Sequence, residues 1–220
     1  MQRHFQEEIE HLKTSIIKMG SLAETAISLS LKAIIERDQE LAEQVTSGDR
    51  RINALEMEVD NAIIDLLALQ QPVASDLRLI LAAQKINNDL ERIGDHAVNL
   101  AESAIALARV PGQSSYIHIP KMAEIAKTML REALDGFIHR NAELGQKVLV
   151  SDDTIDDLNR EMAKEVIEMI KTNQQELETG LELIRISRNL ERVADLATNI
   201  AEEVIFICNA QMVKHHSGSH

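Results

Sequence analysis

Three acidic pairs in this chain share one spacing: Glu56-x-x-x-Asp60, Glu91-x-x-x-Asp95 and Glu191-x-x-x-Asp195. On an α-helix, residues four apart share a face, roughly 5–6 Å apart at Cβ, so each pair aims two carboxylates at one place. Two such helices side by side would gather four carboxylates. That all-oxygen set suits hard cations such as Mg²⁺, Mn²⁺ or oxidised iron, not zinc in a sulfur site. The competing reading is a solvated acidic face. With 36 Asp and Glu among 220 residues, about six pairs of this spacing arise by chance.

Other chemistry is thin. The chain has no Gly-rich nucleotide loop, no HExxH and no GxSxG. Glu8-Ile-Glu-His11 meets the Glu-x-x-His spacing of di-iron proteins once and reads as surface. The single cysteine, Cys208, excludes an intrachain disulfide and reads as a small core residue. A net charge of −13 argues against sequence-independent nucleic-acid binding and against docking on anionic lipid. No stretch approaches 18 apolar residues and the N-terminus has no signal-peptide core, so a reducing cytoplasm is the expected compartment.

The elements that position these residues are helices. Aromatics make up 2% of the chain and prolines are three, Pro72, Pro111 and Pro120. Apolar residues recur at alternating steps of four and three: Ile86, Leu90, Ile93, Ala97, Leu100, Ala104, Leu107, and again Ile186, Leu190, Val193, Ala197, Ile200, Val204, Ile207. Ile52, Leu55, Val59, Ala62, Leu66 and Leu69 form a third seam. Glu91 and Asp95 fall outside their seam, towards solvent, and Glu56 and Asp60 flank theirs. Helices are expected over about 5–36, 39–69 with an irregularity at Ser47-Gly48-Asp49, Pro72 to 109, 121–140, 142–172 and 175–211.

The two halves repeat. Arg37-x-x-Glu40-Leu41 returns as Arg140-x-x-Glu143-Leu144, and Asp49-x-x-Ile52-Asn53-x-Leu55 as Asp152-x-x-Ile155-Asp156-x-Leu158, both 103 residues on. Past the next turn the offset becomes 100, where Leu90-Glu-Arg-Ile-Gly-Asp95 matches Leu190-Glu-Arg-Val-Ala-Asp195. The expectation is an all-α chain of six long helices in two tandem, pseudo-repeated three-helix bundles. The first spans 1–110 and the second 121–214, with a linker at 111–120 and a frayed tail at 215–220. The mates of Glu56 and Asp60 are Asn159 and Ala163, so a second metal site would draw on other acids, such as Asp152, Asp153, Asp156, Asp157 or Glu161.

Gln71-Pro-Val-Ala-Ser-Asp-Leu-Arg-Leu79, with the two Leu-Glu-Arg-x-x-Asp strings, closely resembles the PhoU family of phosphate-transport regulators over nearly the whole chain. The resemblance implies paired three-helix bundles whose E/DxxxD motifs bind metal clusters, carried here by Glu56, Asp60, Glu91, Asp95, Glu191 and Asp195. It implies a non-enzymatic negative regulator of phosphate uptake and of the phosphate-starvation response. The implied partners are the ATPase subunit of a phosphate ABC transporter and the cytoplasmic region of a sensor histidine kinase. A homodimer is also expected. Pro72, Asp76 and Arg78 read either as a rigid interhelical turn or as a partner epitope. Beside this regulatory adaptor stand two alternatives, a metal-free helical scaffold and a carboxylate-bridged metalloenzyme.

Overall fold

A computed structural model describes residues 2–110 and 118–210, with side chains from residue 4. Most of the expected linker and all of the expected tail at 215–220 lie outside the described residues. The elements are α1 (Gln2–Glu36), α2 (Gln39–Gly48), α3 (Arg50–Gln70), α4 (Ala74–Arg109), α5 (Ile119–His139), α6 (Ala142–Thr172), a 3₁₀ turn (Gln174–Glu176) and α7 (Leu177–Asn209). α2 and α3 form one rod. Asp49 alone leaves the regular ladder, yet it keeps right-handed helical angles and its carbonyl accepts from Ile52 and Asn53. Among the described residues six long rods result, and the expected all-α class holds.

The first echo, Arg37 and Arg140 103 residues apart, marks the same turn in both halves. Arg37 and Arg140 adopt left-handed φ of 54° and 49°. The next residue then caps the following helix, Asp38 accepting from the Leu41 N–H and Asn141 from the Glu143 N–H. The cap residues' own N–H groups donate back to Ala33 and Gly136, closing the preceding helix. At the α3–α4 turn the left-handed residue is Gln71, φ 47°. Extended Val73 caps α4 there, so Pro72 sits ahead of the helix rather than starting it.

α1, the α2–α3 rod and α4 form one bundle; α5, α6 and α7 form the other, and the buried apolar residues make one continuous core. The α4 and α7 seams are buried throughout. The α3 seam drifts. Ile63 is buried where Ala62 was expected, and Leu69 is 72% exposed, because a straight helix has 3.6 residues per turn and slips off a strict heptad.

α4 packs on α7 as extensively as any two helices within a bundle. The contact is antiparallel and ringed with polar pairs. Lys85 reaches Glu203 at 2.6 Å, Arg185 pairs with Glu102, and His96 Nδ1 lies 2.9 Å from Asn189 Oδ1. Asn189 spends its amide N–H on the Arg185 carbonyl, so His96 Nδ1 is the donor. Asp89 is buried in this contact beside Asn199 and Glu203, and burial lifts its carboxyl to about 6.

Two predictions follow from this packing. An Ala at Gly145 would place its Cβ 2.9 Å from Ile205 and 3.0 Å from the Ala201 carbonyl, whereas one at Gly48 meets nothing. Gly145→Ala is therefore expected to cost about 1–2 kcal/mol and Gly48→Ala to add roughly 0.5–1 kcal/mol, read by urea unfolding. Asp89, raised from an unfolded value of 3.8, is protonated in the fold and ionised in the unfolded chain between about 4 and 6. Its contribution is intact below that window and declines as pH rises through it. In Asp89→Asn that decline, on the order of 3 kcal/mol, should vanish from the pH–stability curve.

Candidate metal centre

The first acidic cluster forms where α3 lies antiparallel to α4. Asn87 of α4 donates to the Glu56 carbonyl at 3.1 Å and to Asp60 Oδ1 at 2.9 Å, and Gln84 donates to the same oxygen at 2.8 Å. These amides fix the register that brings Glu56 and Asp60 opposite Glu91 and Asp95. Asp49 joins them from the α2–α3 joint. It can come close because α4 carries Gly94 there, where a Cβ would lie 3.2 Å from Asp49 Oδ1.

The charges register one another. Burial lifts the Glu91 carboxyl first, then Asp95, Glu56 and Asp49, with Arg92 acting in the opposite sense. Glu56 is raised by burial and then by Asp60 and Asp95. Asp49 is raised by burial, partly offset by its 2.9 Å hydrogen bond from Asn53, and again by Asp95. Five carboxylates thus converge on one surface. Three inward oxygens beside them, Asp49 Oδ1, Asn53 Oδ1 and Asn87 Oδ1, are buried and accept no hydrogen bond, and Asn87 is fully buried. Orphaned acceptors of this kind carry a desolvation cost that a cation or a donor would relieve. Among the described residues, no three His, Cys, Asp or Glu already close on a common point as a finished metal site.

In the second bundle one acid has moved by a turn. Glu191 is raised by burial and then by Asp195 and Asp156, while Arg192 and a hydrogen bond with Asn159 lower it. Asp156 stands where the first bundle has Asn53, and Asn159, which accepts from Ser187, replaces Glu56. Arg192 lies 2.9 Å from Asp195. Asp152, the mate of Asp49, is buried and accepts from Thr198 at 3.2 Å.

Of the seven expected acids, Glu56 lies near Asp60 and Asp95, Glu91 near Asp95 and Glu56, and Glu191 near Asp195 and Asp156. Asp49, Asn53, Gln84 and Asn87 were not among the sequence candidates. For Asp49 the signal was present, as the first residue of the repeated Asp-x-x-Ile string. A cleft of about 250 Å³ opens beside the second cluster, lined by Asp152 and Asp195, and one of about 200 Å³ lies inside the first bundle with Asp49 on its wall. Pro72, Asp76 and Arg78 lie together at the α3–α4 turn. Asp76 occupies the first turn of α4, where the helix dipole favours an acid, and Arg78 Nε is buried without a partner. Burial raises the Cys208 thiol, which fits a packed residue and not a nucleophile.

Raised carboxyls hold stability that is lost as pH rises through their titration and is lowest once they are ionised. Glu91→Gln should therefore stabilise the chelator-treated protein at pH 7 by roughly 0.5 kcal/mol. The gain should fade below the carboxylate range, as read by thermal melts from pH 3 to 8.

Comparison with known proteins agrees with this geometry. The PhoU domain profile matches twice, at residues 16–104 and 119–204, one match per bundle. The phosphate-specific transport system accessory protein PhoU homolog of Aquifex aeolicus is 38% identical over 209 residues, 95% of each chain. The Pseudomonas putida protein of the same name is 35% identical, covering 97% of this chain and 84% of its own length. The crystal structure of PhoU from Pseudomonas aeruginosa superposes with a TM-score of 0.91 at 34% identity, covering 94% of this chain and all of that one. The phosphate transport system regulatory protein PhoU from Streptococcus pneumoniae gives 0.89 at 28% identity, over 96% and 99%. A duplicated three-helix unit, matched by the PhoU domain profile in both halves and by relatives over nearly its whole length, places this chain in the PhoU family.

Proposed function

We propose that this chain is a regulatory adaptor of a phosphate transport system. In this reading it is non-catalytic and cytoplasmic, and it restrains phosphate uptake and the starvation response. It does so by coupling the transporter's ATPase subunit to the cytoplasmic region of a sensor histidine kinase. Family membership supports the transport role, since relatives carry the names accessory protein and regulatory protein. No helix among the described residues is long and apolar enough to cross a membrane, so contact with a transporter would run through protein surfaces.

The observation that supports metal dependence is the set of orphaned oxygens beside the first acidic cluster. Asp49, Asn53 and Asn87 carry buried acceptors on the helices that bear these carboxylates, and such a donor set suits a hard cation such as iron, Mn²⁺ or Mg²⁺. Glu56, Asp60, Glu91 and Asp95 would hold it, with Asp49 at the edge. Asp156, Glu191 and Asp195 would serve the second bundle. The ion would supply charge neutralisation and cross-link α3 to α4, and α6 to α7. One observation favours the metal-free scaffold instead, namely that no three ligands already converge.

Elemental analysis of tag-free protein after Mn²⁺ or iron loading separates the two. Wild type should hold stoichiometric metal, Glu91→Ala/Asp95→Ala should lose the first bundle's share, and Glu191→Ala/Asp195→Ala the second's. Each variant should also bind the ATPase subunit more weakly. Equal metal in all three proteins would sink the metal reading. Unchanged ATPase binding by the metal-depleted variants would reduce the function to helix surfaces alone.

A further inference from the structure

The cleft of about 200 Å³ in the first bundle lies between α1 and the α2–α3 rod and reaches down to α4, where Gly94 is buried and Val98 half-buried. Its walls are apolar, with Leu22, Ala26 and Leu29 on the α1 side and Ile52 opposite. Gln44 and Arg51 also line it and are exposed, so they stand at its mouth. A Cβ added at Gly48, another lining residue, would meet nothing within 4 Å.

The duplicated half closes the same place with its own side chains. Ala26 is matched by Met129, which is 1% exposed, and Gly94 by Ala194, which is fully buried. Leu29 and Gln44 are matched by Glu132 and Lys147, and these two form an ion pair between α5 and α6. The second bundle thus carries a methionine plug and an ionic strap where the first has Ala26, Leu29 and Gln44. The mouth of the first differs in a further way, because Arg51 stands where the second has Thr154. Among the described residues, neither the Arg51 guanidinium nor the Gln44 amide has a side-chain hydrogen bond or ion pair. The acid in the lining is differently placed. Asp49 Oδ1 is sealed from solvent and its Oδ2 accepts from Asn53 at 2.9 Å, so the charge open at the mouth is that of Arg51.

We propose that this cleft binds a small apolar monocarboxylic acid, its hydrocarbon body seated where Met129 sits in the other half and its carboxylate on Arg51 and Gln44. The size is suitable. A cavity of about 150 Å³ lined by apolar side chains takes up benzene, so about 200 Å³ accommodates a chain or ring of about six carbons. Burial of the body supplies affinity in proportion to its length, and the guanidinium fixes the sign of the head group. A neutral solute makes the first contact without the second, and a cation meets repulsion at the mouth. The inference stands on the cleft and its duplicate, apart from the adaptor reading and the metal centre.

The test is methyl NMR of the full chain titrated with sodium hexanoate. The expected result is a saturable one-to-one site whose shifts centre on Leu22, Leu29, Ile52 and Val98. Affinity should fall about threefold for each methylene removed towards butanoate. Hexanol should bind about fivefold more weakly than hexanoate, and hexylamine more weakly still. Arg51→Gln, at an exposed position, should bring hexanoate down to the level of hexanol and leave hexanol unchanged. Ala26→Met should rebuild the plug, abolish binding of both and raise the thermal midpoint. Shifts that do not saturate or that centre elsewhere, hexylamine binding as well as hexanoate, or hexanoate binding that survives in folded Ala26→Met would each overturn the proposal. Should Ala26→Met fail to fold, indifference of hexanoate to Arg51→Gln overturns it alone.

Discussion

The antiparallel packing of α4 on α7 is the contact on which the rest of this structure depends. Each helix is the most buried member of its own bundle, and each gives its remaining inward face to the other, so one core serves both halves. The polar residues around that contact, Lys85 with Glu203, Arg185 with Glu102 and His96 with Asn189, fix register more than they add stability. Exposed ion pairs contribute little, but their geometry is incompatible with a slide of one turn. With register fixed, the positions of the acidic pairs along α4 and α7 are fixed as well.

A second constraint acts across α3 and α4. Like charges would ordinarily push these helices apart, yet Gln84 and Asn87 bind Asp60 and the Glu56 carbonyl from the facing side. The hydrogen bonds and the apolar seam beneath them hold the carboxylates in a strained electrostatic arrangement. Burial first, and the neighbouring carboxylates after it, raise the carboxyls of Glu56 and Glu91. Functional sites commonly hold such charge, because binding an ion or a basic partner then returns free energy.

Much of this was legible in the residues. The heptads of α4 and α7 and the offsets of 103 and 100 specified the helices, the pairing of halves and the seven acids. What escaped had physical reasons. Gln84 and Asn87 carry no periodic signal, since an amide on a helix declares its partner only after the neighbouring helix is placed. Leu69 was assigned to the core because a strict heptad was extended past the length over which a straight helix follows it. Asp49 stood in the repeat but was read only as part of the irregularity at Ser47-Gly48-Asp49. The close approach permitted by Gly94 showed it to be a member of the cluster.

The replacement of Asn53, Glu56 and Asp60 by Asp156, Asn159 and Ala163 has a consequence for how such a molecule evolves. Two identical half-length subunits meeting on a two-fold axis would be bound to carry the same carboxylates in both halves, whatever ion or partner each side met. Joining the halves in one chain releases them from that identity while α4 and α7 keep the axis. One bundle can then lose an acid or shift it along a helix without altering the other. The chain has the outline of a dimer and the freedom of a monomer to make its two sides unequal.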